Sequence, residues 1–169
     1  REGGQELSGK TIGIIGCGNV GQEVVRLLQP FQCKVKVRDI ADRSKFCHQS
    51  GAVEMEFDEL IEEADIVTLH VPLTKDTENL INKLVLEKMK SSAFLVNTSR
   101  GRVVHQGELH QALVSGEIAG AGLDVFYDEP PMDTEFLQLA NLMVTPHIGG
   151  NTNEAVEAMK TGAKISGSY

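Results

Sequence analysis

Thr11-Ile12-Gly13-Ile14-Ile15-Gly16-Cys17-Gly18-Asn19-Val20-Gly21 is the stretch whose reading decides the fold. Its β-branched run, Thr11, Ile12, Ile14 and Ile15, reads as a buried strand. The run leads into Gly16-x-Gly18-x-x-Gly21, and Val20, Val24, Leu27 and Leu28 then recur at helical spacing. Strand, glycine turn and helix follow in the order a dinucleotide site requires. In that reading Gly16 permits the tight turn, Gly18 lets a pyrophosphate approach the backbone, and Gly21 lets the helix pack close to the strand. The anion then sits on free N–H groups at the helix N-terminus. A glycine triplet alone is a weak signal, and the flanking strand and helix are what make this one specific.

Outward from this stretch, strand and helix patterns alternate. After a polar lead-in over 1–10, the pattern predicts a strand at 11–16 and a helix at 20–29 stopped by Pro30. A strand at 34–39, a helix at 42–49 and a short strand at 53–55 come next. Phe57, Leu60, Ile61 and Ala64 mark a helix ending at Asp65, and a strand at 66–71 is closed by Pro72. Beyond a loop over 74–77, Leu80, Ile81, Leu84, Leu86 and Met89 have helical spacing. A strand at 93–96 precedes a helix carrying Leu109, Ala112 and Leu113, which Gly116 ends. A Gly/Ala-rich strand at 118–125, a loop at Pro130-Pro131 and a strand at 142–145 ended by Pro146 complete the series. A last helix is expected from Thr152. The alternation predicts an α/β fold, a doubly wound parallel sheet (Rossmann fold) in three αβα layers.

The bulk properties narrow the function classes. A net charge of −8 over 169 residues argues against nucleic acid or an anionic membrane surface as partner. A phosphate ligand must therefore be held by local backbone and a few basic groups. No apolar run approaches the roughly 20 residues of a membrane span. Cys17, Cys33 and Cys47 are odd in number and lack Cys-x-x-Cys spacing, which reads as a reduced, cytoplasmic protein without a metal site.

Asp39 closes the second strand, 18 residues after Gly21. A carboxylate there accepts the ribose hydroxyls of an adenosine and repels a 2′-phosphate, which favours NAD over NADP. Arg38 beside it reads as a solvated side chain. Four later segments each follow a predicted strand: His70-Val71-Pro72-Leu73-Thr74, Asn97-Thr98-Ser99-Arg100-Gly101, Leu123-Asp124-Val125-Phe126-Tyr127-Asp128-Glu129-Pro130 and Thr145-Pro146-His147-Ile148-Gly149-Gly150. In a doubly wound sheet these strand ends share one edge, where ligands bind. Arg100, Glu129 and His147 could therefore converge with the glycine loop. Taken singly, each has a plain structural alternative: a salt-bridge Arg, a solvated loop Glu, a structural His after Pro.

In this order the segments resemble the nucleotide-binding domain of the D-isomer-specific 2-hydroxyacid dehydrogenases, the group that includes D-3-phosphoglycerate dehydrogenase. The resemblance runs from about Leu7 to Tyr169. It implies that Arg100 binds the substrate carboxylate, that His147 is the acid/base, and that Glu129 pairs with His147. It also places Asn19, Val20, Val71, Thr98, Ser99, Asp124, Gly149 and Gly150 around the dinucleotide, with Asp124 on the nicotinamide side. His70 is expected in the adenine-side loop, and His48, His105 and His110 on the surface. The chemistry suits the residue types: Arg offers a bidentate fork to a planar carboxylate, and His exchanges protons near neutral pH. A carboxylate beside the His favours the imidazolium and fixes the tautomer. The cofactor itself carries the hydride.

Two departures stand out. Many relatives have Val-Asp-Glu where this chain has Val104-His105-Gln106, which removes two acids from a helix start and puts its cap in doubt. The family also has a substrate-binding domain built from both sides of this one. Residues 1–169, with a core at about 11–150, therefore read as the NAD-binding domain of a longer enzyme, homodimeric by the resemblance, acting on a small 2-hydroxy or 2-keto acid. Two other readings remain at this stage: a non-catalytic NAD-binding module related to transcriptional corepressors, and a family member oxidising formate or phosphite.

Overall fold

The computed structural model describes residues 4–153 and residue 157 of the chain. Strand β1 (Thr11–Ile15) lies inside the sheet, and both of its faces are covered. Ile12 and Ile14 enter a core with Val25, Val37 and Cys47. Ile15 enters a separate core with Leu60, Ile61, Val67 and Leu95. Two buried faces are what a parallel strand requires, since its crossover helices lie on the sheet.

The other strands are β2 (Lys34–Arg38), β3 (Val53–Glu54), β4 (Ile66–Leu69), β5 (Phe94–Asn97), β6 (Gly120–Leu123) and β7 (Leu142–Val144). All seven pair in parallel, in the order β3-β2-β1-β4-β5-β6-β7. The helices are α1 (Asn19–Leu28), α2 (Ser44–Ser50), α3 (Phe57–Glu63), α4 (Lys83–Leu86), α5 (Gln106–Ser115) and α6 (Thr134–Leu137). Helices α1 and α2 feed the first core, and α3 and α5 feed the second. The predicted doubly wound α/β sheet is thus the observed one. Its strand order reverses between β1 and β4, the point at whose carboxyl edge doubly wound sheets bind their ligands. Among the described residues no helix is long and apolar enough to cross a membrane.

Most strands are shorter than the sequence pattern suggests, and at the β1 and β4 ends the reason is pairing. Ile15 pairs with both Arg38 and Leu69, and Gly16 then leaves the sheet. The apolar residues beyond Leu69 therefore have no strand to pair with. The helix expected over Leu80–Met89 is corrected more deeply. Ile81 forms a parallel bridge to Val104: its N–H donates to the Val103 carbonyl (3.0 Å) and its carbonyl accepts from the His105 N–H (2.9 Å). Asn82 then caps α4 by accepting from the Val85 N–H, so only one turn of helix remains. Pro30 lies in a 3₁₀ turn, Gln29–Phe31, that continues α1 past Leu28. Helix α6, capped by Asp133, has too short an apolar pattern to be seen in sequence. The helix expected from Thr152 falls almost wholly outside the described residues.

At the opposite edge of the sheet, Asp65 ties three strand starts together. Its carboxylate accepts from the Thr11 N–H (2.8 Å) and from Lys90 Nζ (2.9 Å), and its carbonyl accepts from the Phe94 N–H. The Thr11 N–H, and then Lys90, hold this carboxyl below its ordinary value. Its charge therefore stabilises the fold above the unfolded value of about pH 4, and that contribution is lost as the pH falls through the lower folded value. Asp65→Asn is expected to cost about 1–2 kcal/mol at pH 7. Thermal melts at pH 7 and pH 3 check this: the gap between variant and parent should narrow at the lower pH.

Candidate active site

The carboxyl ends of β1, β4, β5, β6 and β7 carry the loops that sequence analysis singled out. After β1, Gly16 has φ +90°, and a Cβ there would lie 2.7 Å from the His70 carbonyl. A Cβ on Gly21 would lie 2.1 Å from the Gly16 carbonyl oxygen, so α1 is pressed against the turn. Around Gly18 that space is open to 4 Å. Gly18 caps α1 without a side-chain bond, and the first turn, opening with Asn19 and Val20, contains no acid. Such an N-terminus is suited to an anion brought from outside. Val71 flanks the same turn, its Cγ1 2.8 Å from the Cβ position of Gly16.

Asp39 follows β2 and reaches back to this loop. It accepts from the Cys17 N–H (2.6 Å) and the Ala41 N–H (2.8 Å), and Arg43 Nε lies 3.3 Å away. Burial pushes its carboxyl up, but the two N–H donors and Arg43 outweigh burial and hold it below the ordinary value. Arg38, expected to be solvated, pairs loosely with Glu56 at 3.6 Å. His70 is neutral, because burial pushes its ring down to about 4. Its Nε2 lies 3.1 Å from Thr68 Oγ1.

At the end of β5, Asn97 is buried to 1% exposure and shapes the Asn97–Arg100 turn. Its Oδ1 accepts from the Ser99 N–H and hydroxyl, and its Nδ2 donates to the Arg100 carbonyl. Thr98 and Arg100 are exposed on this turn. The Arg100 guanidinium donates to the Ser99 carbonyl (2.7 Å), and among the described residues it pairs with no carboxylate. Its charge is thus open to an anion.

Asp124, at the end of β6, is 5% exposed and anchors the loop after β7. It accepts from the Thr145 hydroxyl, the Ile148 N–H (2.9 Å) and the Gly149 N–H (2.8 Å). Burial opposes its charge, and these donors, Thr145 foremost, overcome burial and keep the carboxyl below its ordinary value. The anchored loop carries His147 at φ +54°, a left-handed backbone that costs about 1 kcal/mol or more for a residue with a Cβ. Gly150 closes the loop. Glu129 lies across from it: His147 Nδ1 donates to Glu129 Oε2 at 2.7 Å, while Glu129 Oε1 accepts from the Phe126 N–H. The His147 bond and the Phe126 N–H keep the Glu129 carboxyl low, so Nδ1 carries the proton and Nε2 is left for a ligand. A hollow of about 490 Å³ opens beside the pair, walled by Phe126, Pro130, Leu137 and Val144.

The structure therefore brings Glu129 and His147 into contact, and Asp39 into contact with the glycine loop. Arg100 touches neither Glu129 nor His147, and is linked to them through the ends of β5, β6 and β7. Sequence analysis missed Asn97 and Thr145. The available signal was a polar residue at the last position of an apolar strand, where it bonds to the turn that follows. Two expectations are corrected. His105 rescues the α5 start by accepting from the Glu108 N–H at Nδ1, so the cap is intact without the two acids. His110 is not a free surface residue, since its ring packs on Phe136 with centroids 5.5 Å apart. His48 is exposed. Among the described residues no cluster of three or more His, Cys, Asp or Glu could hold a metal ion.

Residues 1–149 match the family model described as D-isomer specific 2-hydroxyacid dehydrogenase, NAD binding domain. A glyoxylate reductase of Thermococcus litoralis is 43% identical over 156 residues, which are 92% of this chain and 47% of that protein. A D-3-phosphoglycerate dehydrogenase of Bacillus subtilis is 40% identical over 152 residues, 90% of this chain and 29% of that protein. The crystal structure of a D-lactate dehydrogenase with NAD+ from Lactobacillus jensenii superposes with a TM-score of 0.86 at 34% identity, covering 94% of this chain and 52% of that one. The chain spans about half the length of the curated relatives it matches, or less.

Asp124→Asn replaces an acceptor oxygen by an amide that faces N–H and O–H donors. It is expected to destabilise the fold by about 1–3 kcal/mol. Hydrogen exchange at Ile148 and Gly149 should quicken far more than in the strands. Unchanged protection of these two amides would show that Asp124 does not anchor the loop.

Proposed function

The chain belongs to the D-isomer specific 2-hydroxyacid dehydrogenases as their NAD binding domain, and from that premise we propose that it serves a longer enzyme that interconverts a D-2-hydroxy acid and a 2-keto acid. The observation that carries this reading is the 2.7 Å bond between His147 Nδ1 and Glu129 Oε2, on the same sheet edge as the glycine loop and an Arg100 that pairs with no carboxylate among the described residues. The residues present fit NAD. The open backbone at Gly18 receives the pyrophosphate, and Asp39 receives the adenosine ribose, with Val71 beside the loop. Thr98, Ser99, Gly149 and Gly150 would line the dinucleotide, with Asp124 on its nicotinamide side. When bound, NAD takes up the hydride and NADH delivers it.

The remaining chemistry belongs to the chain. Arg100 takes the substrate carboxylate in its guanidinium fork. In reduction His147 donates a proton from Nε2 to the keto oxygen, and in oxidation it accepts the hydroxyl proton there. Glu129 accepts from Nδ1–H and so fixes the tautomer that presents Nε2 to the substrate. The relatives reported above are named for glyoxylate and D-3-phosphoglycerate, which share the 2-oxo or 2-hydroxy carboxylate and differ in the rest. Arg100 and His147 read that shared part. The side-chain choice, D-3-phosphoglycerate included, we assign to a substrate-binding domain outside residues 1–169. Nothing among these relatives supports the non-catalytic corepressor reading.

In the full-length protein, His147→Ala is expected to lower kcat about 10²–10⁴-fold, measured with NADH and a panel of 2-keto acids. Near-normal turnover in this variant would overturn the assignment. Calorimetric titration of residues 1–169 should give binding of NAD(H) and weaker binding of NADP(H), because the Asp39 carboxylate repels a second anion. Tighter binding of NADP(H) would refute the role of Asp39. The same preparation should turn over 2-keto acids only at background, since one wall of a cleft cannot hold donor and acceptor in near-attack geometry.

A further inference from the structure

We propose that Asn97 is a positioning residue for the substrate carboxylate, setting the place of Arg100 through its backbone. The inference rests on the reading of Arg100 given above. Asn97 is the last residue of β5, and its amide is almost fully buried, at 1% exposure. A buried amide must have its donors and acceptors matched, and here the partners are all in one turn. Oδ1 accepts from the Ser99 N–H (3.0 Å) and the Ser99 hydroxyl (2.9 Å). Nδ2 donates to the Arg100 carbonyl (2.9 Å). The amide cannot be reversed, because that would set N–H against N–H at Ser99 and oxygen against oxygen at Arg100.

The same residue also fixes the turn to its neighbour. The Asn97 carbonyl accepts from the Asp124 N–H at 3.0 Å. Asp124 in turn holds the Ile148 and Gly149 amides that follow His147. Asn97 therefore sets the separation between the carboxylate-binding Arg and the loop that carries the proton-transfer His. It touches neither substrate nor cofactor in this scheme. Its two functional groups divide the work: Oδ1 holds Ser99, on the cofactor side, and Nδ2 holds Arg100, on the substrate side.

That division gives a selective test in the full-length enzyme. Asn97→Asp keeps an acceptor for Ser99 and replaces the donor facing the Arg100 carbonyl by a second oxygen. At neutral pH it should raise KM for the 2-keto acid about tenfold or more, with KM for NADH within about twofold, since only the Arg100 bond is lost. As the pH falls and the buried carboxyl gains a proton, its O–H can donate to the Arg100 carbonyl again. The ratio of variant to parent KM should then shrink toward one. Asn97→Ala cannot titrate, so its ratio should stay raised at every pH, and it carries the test if the Asp variant does not fold. In an Arg100→Ala background neither change should raise KM for the keto acid further. A keto-acid KM within twofold of the parent in both variants, or an effect additive with Arg100→Ala, would overturn the proposal. If Arg100→Ala itself leaves that KM unchanged, it is the role of Arg100, and with it the functional reading, that fails.

Discussion

The pairing of β1 with β2 on one side and β4 on the other is the constraint from which the rest of the molecule follows. A parallel strand with two partners has no free edge, and its faces must be closed by crossover helices. Ile12 and Ile14 demand one covering layer and Ile15 the other. Because every strand runs the same way, every strand ends at the same edge. The glycine turn, Asp39, Arg100, Asp124, Glu129 and His147 then lie on one side of the molecule without any sequence signal having to place them individually. The function proposed above is largely a consequence of that shared direction.

Much of this was legible because it is carried by period and punctuation. Ile12, Ile14 and Ile15 before Gly16 mark a buried strand, and Gly116 at φ +72° marks the end of α5. What could not be read depends on partners far away in the chain. Ile81 has the spacing of a helical residue, yet its backbone groups are claimed by Val103 and His105, more than twenty positions on. Strand ends were over-extended because apolar residues continue past Leu69 while the neighbouring strand stops at Ile15. At the site, residue types suggested Arg100, Glu129 and His147, and motif order supplied their roles. The supports, Asn97 and Thr145, show in the sequence only as polar residues closing apolar stretches, and that signal is weak because a buried polar residue and a solvated one are the same letter.

The electrostatics of the edge are local. The chain carries a net charge of −8, yet Asp39, Asp124 and Glu129 each have their charge absorbed by donors: main-chain N–H groups in all three, with Arg43, Thr145 and His147 respectively. Arg100 is left without a carboxylate among the described residues. A negatively charged molecule at the β5–β7 end of the edge therefore meets two acids, Asp124 and Glu129, whose charge is already engaged by donors, and a base that no carboxylate among the described residues holds. Salt screens exposed charges beyond about 10 Å at ordinary ionic strength, so such short-range arrangement counts for more than the overall sign.

The loops on this edge are fastened sideways, each to the loop of the adjacent strand. Asn97 holds the Asp124 amide, and Asp124 holds Thr145, Ile148 and Gly149. An inserted or deleted residue in any one loop would thus shift the register of its neighbours too. At the other end of the sheet the comparable tie is Asp65, which joins the starts of β1, β4 and β5. Divergence among descendants of this chain should accordingly keep the lengths of the turns after β5, β6 and β7 constant, and find its freedom in helix lengths and in loops that touch neither this seam nor Asp65.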